Sequence, residues 1–350
     1  MTLLSFLSHL VFAVILFGIA TLLTWLMLSR VQIMDVPNAR SSHHSPIPRG
    51  GGVAIVVTFL LGVIAIDLLG DKTPLSQQYF WAFLGSALLI AVISFLDDLT
   101  GQGFLVKLAT QLLAALFVVA SGIVLDQFSI PFVGTLQLPW LGTVLTVLWI
   151  VGLTNSYNFM DGIDGLAALT AVIASAFFAY ITFRHDSLFI YITSYTILAG
   201  AGGFLVFNRP PARIFLGDVG SAFLGFIFAV MAIVAARYDY SHTSFLVVPL
   251  LLLHFIFDTL ATLCRRVIAG ENITQAHRTH AYQLLVRMGL SHGQVTLIYA
   301  ALGVLQGFAA SIMVEIGGEA RLWVFVPFLL FYPLAYVSIV RRARSKFSIL

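Results

Sequence analysis

Runs of about 20 apolar residues, separated by short polar breaks, follow one another from end to end of the chain. Runs of that length cross a hydrocarbon core about 30 Å thick, whereas the helices of a soluble core keep a polar face toward water. By length, about eleven of them are expected to be membrane-spanning helices. They fall at 3–28, 51–69, 79–96, 104–124, 138–153, 166–183, 188–207, 219–236, 245–267, 295–314 and 322–340. The first has no positive stretch ahead of it and no small-residue cleavage site before Arg30, so it is expected to be retained as a span. No linker, low-complexity stretch or repeat divides the chain, so the expected fold is an all-α integral membrane protein, one polytopic bundle over residues 1–350. One exception is expected at 126–139, where Pro131, Gly134 and Pro139 among β-formers such as Phe132 and Val133 suggest a small surface hairpin.

Composition removes the soluble alternative: 60% of the 350 residues are hydrophobic and 9% charged, against about 25% charged in soluble domains. The net charge of +3 does not indicate a nucleic-acid partner, because the basic residues flank apolar runs, where positive charge sets orientation. With the N-terminus outside, the inward loops hold Arg30, Arg40, Arg49, Lys107, Arg209, Arg213, Arg265, Arg266, Arg278 and Arg287, and the tail adds Arg341, Arg342, Arg344 and Lys346. The outward loops keep only Lys72, Arg184, Arg237 and Arg321. This asymmetry predicts a periplasmic N-terminus and a cytoplasmic C-terminus. The single cysteine, Cys264, has no partner for a disulfide or a thiolate metal site.

The dense polar motifs all fall in loops assigned to the inner face. Asp97-Asp98 follows the third run. Adjacent carboxylates repel, and a cation between them and an anionic substrate relieves that; a polar stop at a helix end is the plainer alternative. In Asn155-Ser156-Tyr157-Asn158-Phe159-Met160-Asp161-Gly162-Ile163-Asp164-Gly165, the polar residues recur every third position and align along one side of a helical backbone. A helix cap would explain Asp164 but leave the other three idle, and the spacing is not that of an EF-hand. Asp218 stands between glycines at the head of a helix, after Asn208 and the aromatic Phe215, a placement suited to a metal that bridges phosphates. His277-Arg278-Thr279-His280 lacks the ligands of a zinc site and better suits phosphate recognition. The loop 40–52, with Ser41, Ser42, His43, His44, Arg49 and three glycines, adds basic side chains on the same face. Asp258 is set apart, an acid inside an apolar run, where it must face protein or water.

In this order and on this face, the motifs resemble the polyprenyl-phosphate N-acetylhexosamine-1-phosphate transferase family, over nearly the whole chain from Pro37-Asn38-Ala39-Arg40 to Tyr282. Ser41-Ser42-His43, Pro46-Ile47-Pro48-Arg49-Gly50-Gly51-Gly52 and His277-Arg278-Thr279-His280-Ala281-Tyr282-Gln283 look most like the bacterial O-antigen initiating branch. The resemblance implies a multi-pass enzyme of the bacterial inner membrane with its site facing the cytoplasm. Its donor would be a UDP-N-acetylhexosamine and its acceptor undecaprenyl phosphate, with Mg2+ as cofactor, Mn2+ as a substitute, and UMP as a product. It implies Asp218 as metal ligand with Asp98 beside it, and Asp97 as the acid that assists the lipid phosphate. Asp98, Asn158, Asp161 and Asp164 would wall the nucleotide and metal, Phe215 would stack on uracil near Asn208, and Lys107 would enter the site. His280 falls at the family's histidine loop with His277; Arg278, Arg49 and Asn155 complete the expected substrate-binding set. The loop reads His-Arg-Thr-His where the peptidoglycan branch has three consecutive histidines, which argues against a peptide-bearing donor. The competing readings are that peptidoglycan-precursor transferase and, in a different class, a transporter, whose ionisable groups would sit near the bilayer midplane. The sequence leaves the oligomeric state open; a homodimer is compatible with it.

Overall fold

A computed structural model describes residues 3–31, 33–35, 46–69, 75–130, 134–239, 243–272, 275, 277–316 and 318–347. Its helices are α1 (Leu3–Leu26, continued by a π-helical turn to Val31), α2 (Gly52–Leu69), α3 (Gln77–Thr100), α4 (Phe104–Ala120), α5 (Pro139–Phe159), α6 (Leu166–Arg184) and α7 (Leu188–Asn208). They continue with α8 (Gly217–Arg237), α9 (Val247–Leu251), α10 (Leu253–Ile268), α11 (Ala281–Arg287), α12 (His292–Ile316) and α13 (Val326–Phe347). Among the described residues, 8 helices are long and apolar enough to cross a membrane, and α2 and α4 are apolar but shorter. The run expected at 245–267 is instead two pieces, α9 and α10. The reason lies in the side chains of α10: it buries His254, Asp258, Thr259, Thr262 and Arg266 and exposes Leu260 and Val267, so it is two-faced and not apolar all round.

The expected hairpin is present: β3 (Gln127–Ile130) pairs antiparallel with β4 (Gly134–Gln137). A second, unexpected one joins β1 (Ile33–Asp35) to β2 (Ile47–Arg49), in the register Ile33↔Arg49. The loop call at Arg40 and Ser41 to His44 lies outside the described residues.

The bundle is organised around α8, every residue of which from Val219 to Ala235 is buried. It packs on α2, α3 and α5, while α7 holds α1, α2 and α6 on one flank. Lipid is as apolar as a leucine side chain, so hydrophobic burial does not drive such helices together; close packing does. Phe59, Phe83 and Phe223 interlock edge-to-face where α2, α3 and α8 meet, with ring centroids 5.4 Å apart for Phe59 and Phe223. At Gly52 an added Cβ would collide with the Cα of Gly220, so α2 and α8 approach at a distance only glycine permits. The neighbouring amides use that closeness: Gly51 and Gly52 donate to the carbonyls of Phe215 and Leu216 at 3.0 and 2.8 Å. The glycine run of the second loop is therefore a backbone dock that fixes the head of α8.

Candidate active site

The C-terminal turn of α3, the N-terminal turn of α4, the C-terminal turn of α5 and the head of α8 meet at one end of the bundle. Helix α3 stops at Gly101, which takes the left-handed conformation (φ 65°) and returns its N–H to the Asp97 carbonyl at 2.8 Å. That stop places Asp97 and Asp98 in the last turn, at the negative end of the helix dipole, where each carboxylate is disfavoured by about 0.3–1 kcal/mol unless it finds a partner. Both find one. Asp98 reaches the head of α8 and accepts from the amides of Asp218 (3.1 Å) and Val219 (3.0 Å). These are donors that α8 leaves free at its start, since Leu216 gives it no side-chain cap. Gly217 is required for this contact: its φ is +76°, and a Cβ there would sit 2.6 Å from the Asp98 carboxylate. Asp98 was expected as a metal ligand; in this structure each of its oxygens accepts from the head of α8.

Asp97 is served by Lys107 of α4, whose ammonium lies 2.7 Å from Oδ2 and also pairs with Asp218. Oδ1 of Asp97 is buried without a hydrogen-bond partner. The Asn158 amide donates to Asp218 at 2.9 Å and to Ser221 at 2.8 Å. Asp161 follows within a turn, and its carboxyl is held well above the usual carboxylate range by burial and then by the charges of Asp218, Asp98 and Asp164.

Beside these groups is a cavity of about 420 Å³, whose wall includes Lys107, Asn155, Asn158, Asp218, His277 and His280 but not Asp97, Asp98 or Asp161. The cavity runs inward along the helices past Ser94, Thr110 and Gln111 to Ile90, Ile93 and Ala222. Its polar side chains gather toward the end of the bundle, interleaved with Phe104, Phe159 and Leu263, and its inner end at Ile90, Ile93 and Ala222 is apolar. Sequence reasoning missed Gln102, Thr110, Gln111, Gln275 and Gln283 on this wall. Uncharged amides give no charge signal, and only the pairing of Gln111 with Asn155 across α4 and α5, at 2.5 Å, shows that they are organised.

The second wall is the loop between α10 and α11. Arg265 donates to the Thr279 carbonyl (2.8 Å), and Arg266 to the carbonyls of Asn272 (2.7 Å) and Gln275 (3.1 Å), so residues expected only to orient the chain also fold the loop. Burial, with His280, Arg266 and Arg265 close by, pushes His277 down to about 4.

Other expected site residues are placed elsewhere. Both Asp164 oxygens are taken, one by the Ala212 amide (3.1 Å) and one by His292 (3.2 Å), so Asp164 ties the start of α6 to α12 and the 209–213 turn. Asn208 is buried, donating to the Ile214 carbonyl (2.9 Å) and accepting from the Gly165 amide (3.1 Å). It braces the turn that presents Phe215. Arg49 faces Asp35 across the small hairpin at 4.0 Å. Neither Phe215, Arg278 nor Arg49 lines the cavity.

A helical bundle that crosses the membrane many times, with carboxylates, a lysine and histidines around a cavity at one end, is built as a membrane-embedded enzyme. Comparison with known proteins assigns it further. The profile of glycosyl transferase family 4 matches residues 80–236, which include α3, α4, α5 and the head of α8. A protein of Bacillus subtilis (strain 168) named "Probable undecaprenyl-phosphate N-acetylglucosaminyl 1-phosphate transferase" is 31% identical over 89% of this chain and 84% of its own length. A decaprenyl-phosphate N-acetylglucosaminephosphotransferase of Mycobacterium leprae is 31% identical over 83% of this chain and 80% of its own. A phospho-N-acetylmuramoyl-pentapeptide-transferase of Latilactobacillus sakei is 32% identical, but over 54% of this chain and 62% of its own. The chain belongs to glycosyl transferase family 4.

Proposed function

We propose that the protein transfers an N-acetylhexosamine 1-phosphate from a UDP-N-acetylhexosamine to undecaprenyl phosphate, releasing UMP and starting a lipid-linked envelope glycan such as an O-antigen. The observation that carries this reading is the two-ended cavity: Lys107, Asn158 and Asp218 at its polar end, with Asp97 paired to Lys107, and Ile90, Ile93 and Ala222 toward the middle of the bundle. An acceptor with an anionic head and an isoprenoid tail matches that gradient, and a water-soluble nucleotide-sugar reaches the polar end from outside the bilayer. The relatives named for undecaprenyl- and decaprenyl-phosphate support the same acceptor class.

The chemistry needs no protein nucleophile, since a phosphate oxygen of the acceptor attacks the β-phosphorus of the donor. Catalysis is then alignment and neutralisation of charge. Asp97 and Asp218 share one lysine here, so two further phosphates call for more positive charge. The donor set fits Mg2+, which is commonly held by one or two carboxylates together with substrate phosphates. Asp218 and Asp97, with its unpartnered buried Oδ1, would hold it. Among the described residues no three His, Cys, Asp or Glu side chains group as a metal cluster. Bound there, Mg2+ (or Mn2+) would supply positive charge to offset that of the phosphates. Lys107, freed from the carboxylates, is placed to pair with a phosphate, and Asn158 keeps Asp218 oriented.

We place the site at the cytoplasmic face of the inner membrane because the cavity opens at the end of the bundle that carries Arg265 and Arg266 of α10 and Arg344 and Lys346 of α13. The test is a donor screen. Purified protein with Mg2+ and undecaprenyl phosphate is expected to release UMP from a simple UDP-N-acetylhexosamine and yield a lipid diphospho-sugar of matching mass. Turnover confined to the peptide-bearing donor would move the protein to the peptidoglycan branch. Substrate carried across proteoliposomes without UMP release would make it a transporter.

A further inference from the structure

Asp258 has no part in the chemistry above, yet its carboxylate gathers more donors than any acid around the cavity. It is buried, 3% exposed, in the middle of α10. Its Oδ1 accepts from the Ala281 amide (2.9 Å), the Thr262 hydroxyl (3.2 Å) and His280 Nδ1 (3.3 Å). Its Oδ2 accepts from the Tyr299 hydroxyl (2.9 Å) and the Tyr282 amide (3.3 Å). Thr262 is in turn joined to the hydroxyl of Tyr336 in α13 at 3.1 Å. One side chain thus ties α10 to the first turn of α11, to α12 and, through Thr262, to α13.

The arrangement dictates where the His280 proton sits. Four donors other than the histidine converge on Asp258, a pattern that an ionised, acceptor-only carboxylate satisfies. Nδ1 must therefore donate, and the other ring nitrogen, Nε2, is left with the lone pair in the neutral ring. The ring cannot turn away: His277, Tyr282 and Phe159 flank it with centroids 4.9, 5.9 and 6.1 Å distant. No hydrogen bond to Nε2 is found among the described residues, and His280 is part of the cavity wall opposite Lys107 and Asp218.

We propose that Asp258 is a positioning residue for the transfer reaction, fixing His280 as the Nδ1-protonated ring whose Nε2 lone pair takes the proton of a phosphate hydroxyl in the cavity, leaving an imidazolium paired with the phosphate anion. The proposal rests on the function given above and adds to it the source of the histidine's orientation. Carboxylate–histidine pairs of this kind set tautomer and aim at many sites, and loss of the carboxylate typically costs about 10- to 100-fold in activity. Here a single acid does this for a loop that has little regular structure of its own.

The experiment reads the ring directly. In the full-length protein labelled with 15N-histidine, the His280 signal is expected to show the proton on Nδ1, and in Asp258→Ala to lose that signature. Asp258→Ala is expected to lower kcat about 10- to 100-fold with KM for the nucleotide-sugar within about threefold. Asp258→Asn keeps one oxygen for His280 and Ala281 and is expected to restore most of the rate. In a His280→Gln background, Asp258→Ala is expected to cost no more than about twofold further, because its effect passes through a ring already gone.

A wild-type His280 with its proton on Nε2, in an active protein, overturns the proposal, and this holds even if Asp258→Ala fails to fold. Multiplicative losses in the double variant overturn it too, since they mark a purely structural acid. A wild-type protein that releases no UMP strikes the functional reading instead, whatever the state of the ring.

Discussion

The two walls of the cavity use carboxylates in opposite ways. Where α3, α4, α5 and α8 meet, two acids, Asp97 and Asp218, share one lysine, and Asp97 keeps a buried oxygen without a hydrogen-bond partner. On the wall built by α10 and α11, one acid is surrounded by five donors. The first wall is left electrically unfinished, a state that persists only because the helix ends that carry it are locked by contacts such as Asp98 on the head of α8. The second is finished internally and offers the cavity a histidine nitrogen. The difference separates acids that wait for a ligand from acids that hold a shape, a distinction that residue type alone does not make.

The largest effect expected from breaking this contrast is at Asp218. Asp218→Asn keeps the size of the side chain and the Asn158 contact region but removes the charge that pairs with Lys107 and that the proposed divalent cation would use. A fall in kcat of about 10³-fold or more is expected, with the protein still inserted and folded, because metal and lysine act together on the same phosphates. UMP release at saturating Mg2+, beside a melting curve of the same preparation, checks it. A variant within about tenfold of wild type would show that the metal is held elsewhere.

Asp161 offers a smaller effect of opposite sign in stability. Its carboxyl is held well above the ordinary range, so the folded protein keeps that proton more tightly than the unfolded chain does. Stability must then fall as pH rises from the ordinary carboxylate range toward the raised one, and above it the folded state carries the full cost of the buried charge. Asp161→Asn removes that cost. It is expected to melt a few degrees higher than wild type near pH 8, with the gain shrinking as pH falls toward 4, while transfer is reduced. Thermal unfolding across that pH range, in detergent, measures both the sign and the slope.

Much of the first wall was legible in the sequence and much less of the second. Asp97, Asp98, Asn158 and Asp218 announce themselves because charged and amide residues at the ends of apolar runs have few structural reasons to be there. What the sequence could not separate were the ligand-facing acids from the latches. Asp98 and Asp164 sit in the same motifs as Asp97 and Asp161, but the amides of Asp218, Val219 and Ala212 that claim their oxygens come from 48 or more positions away in the chain. The break between α9 and α10 was hidden for a related reason. The apolar length of the run is right for a span, and only the partners of His254 and Asp258 on α11 and α12 show that one face of α10 looks into protein. Gln111 was invisible because a glutamine on a helix carries no distinguishing mark until its neighbour is known, and Gln283 stood in the sequence only as the end of the histidine-loop motif.

His277 is where the second wall should respond least. It lies 4.9 Å from His280, ring to ring, and its hydrogen-bond partner is the Thr279 hydroxyl at 3.0 Å, not Asp258. Burial and the nearby His280, Arg266 and Arg265 push it down to about 4. The unfolded chain therefore binds this proton more readily than the fold does, and stability from this group is complete above about pH 6.5 and declines as pH falls toward 4. Above pH 6.5 the ring is neutral, so it contributes no charge to phosphate binding, and His277→Gln is expected to change kcat by no more than about threefold. The same variant should blunt the loss of melting temperature between pH 6.5 and 4. A profile of UMP release whose limbs coincide for wild type and His277→Gln between pH 6.5 and 8 would sharpen the contrast between the two histidines. A displaced limb in that window would mean that His277 titrates during turnover.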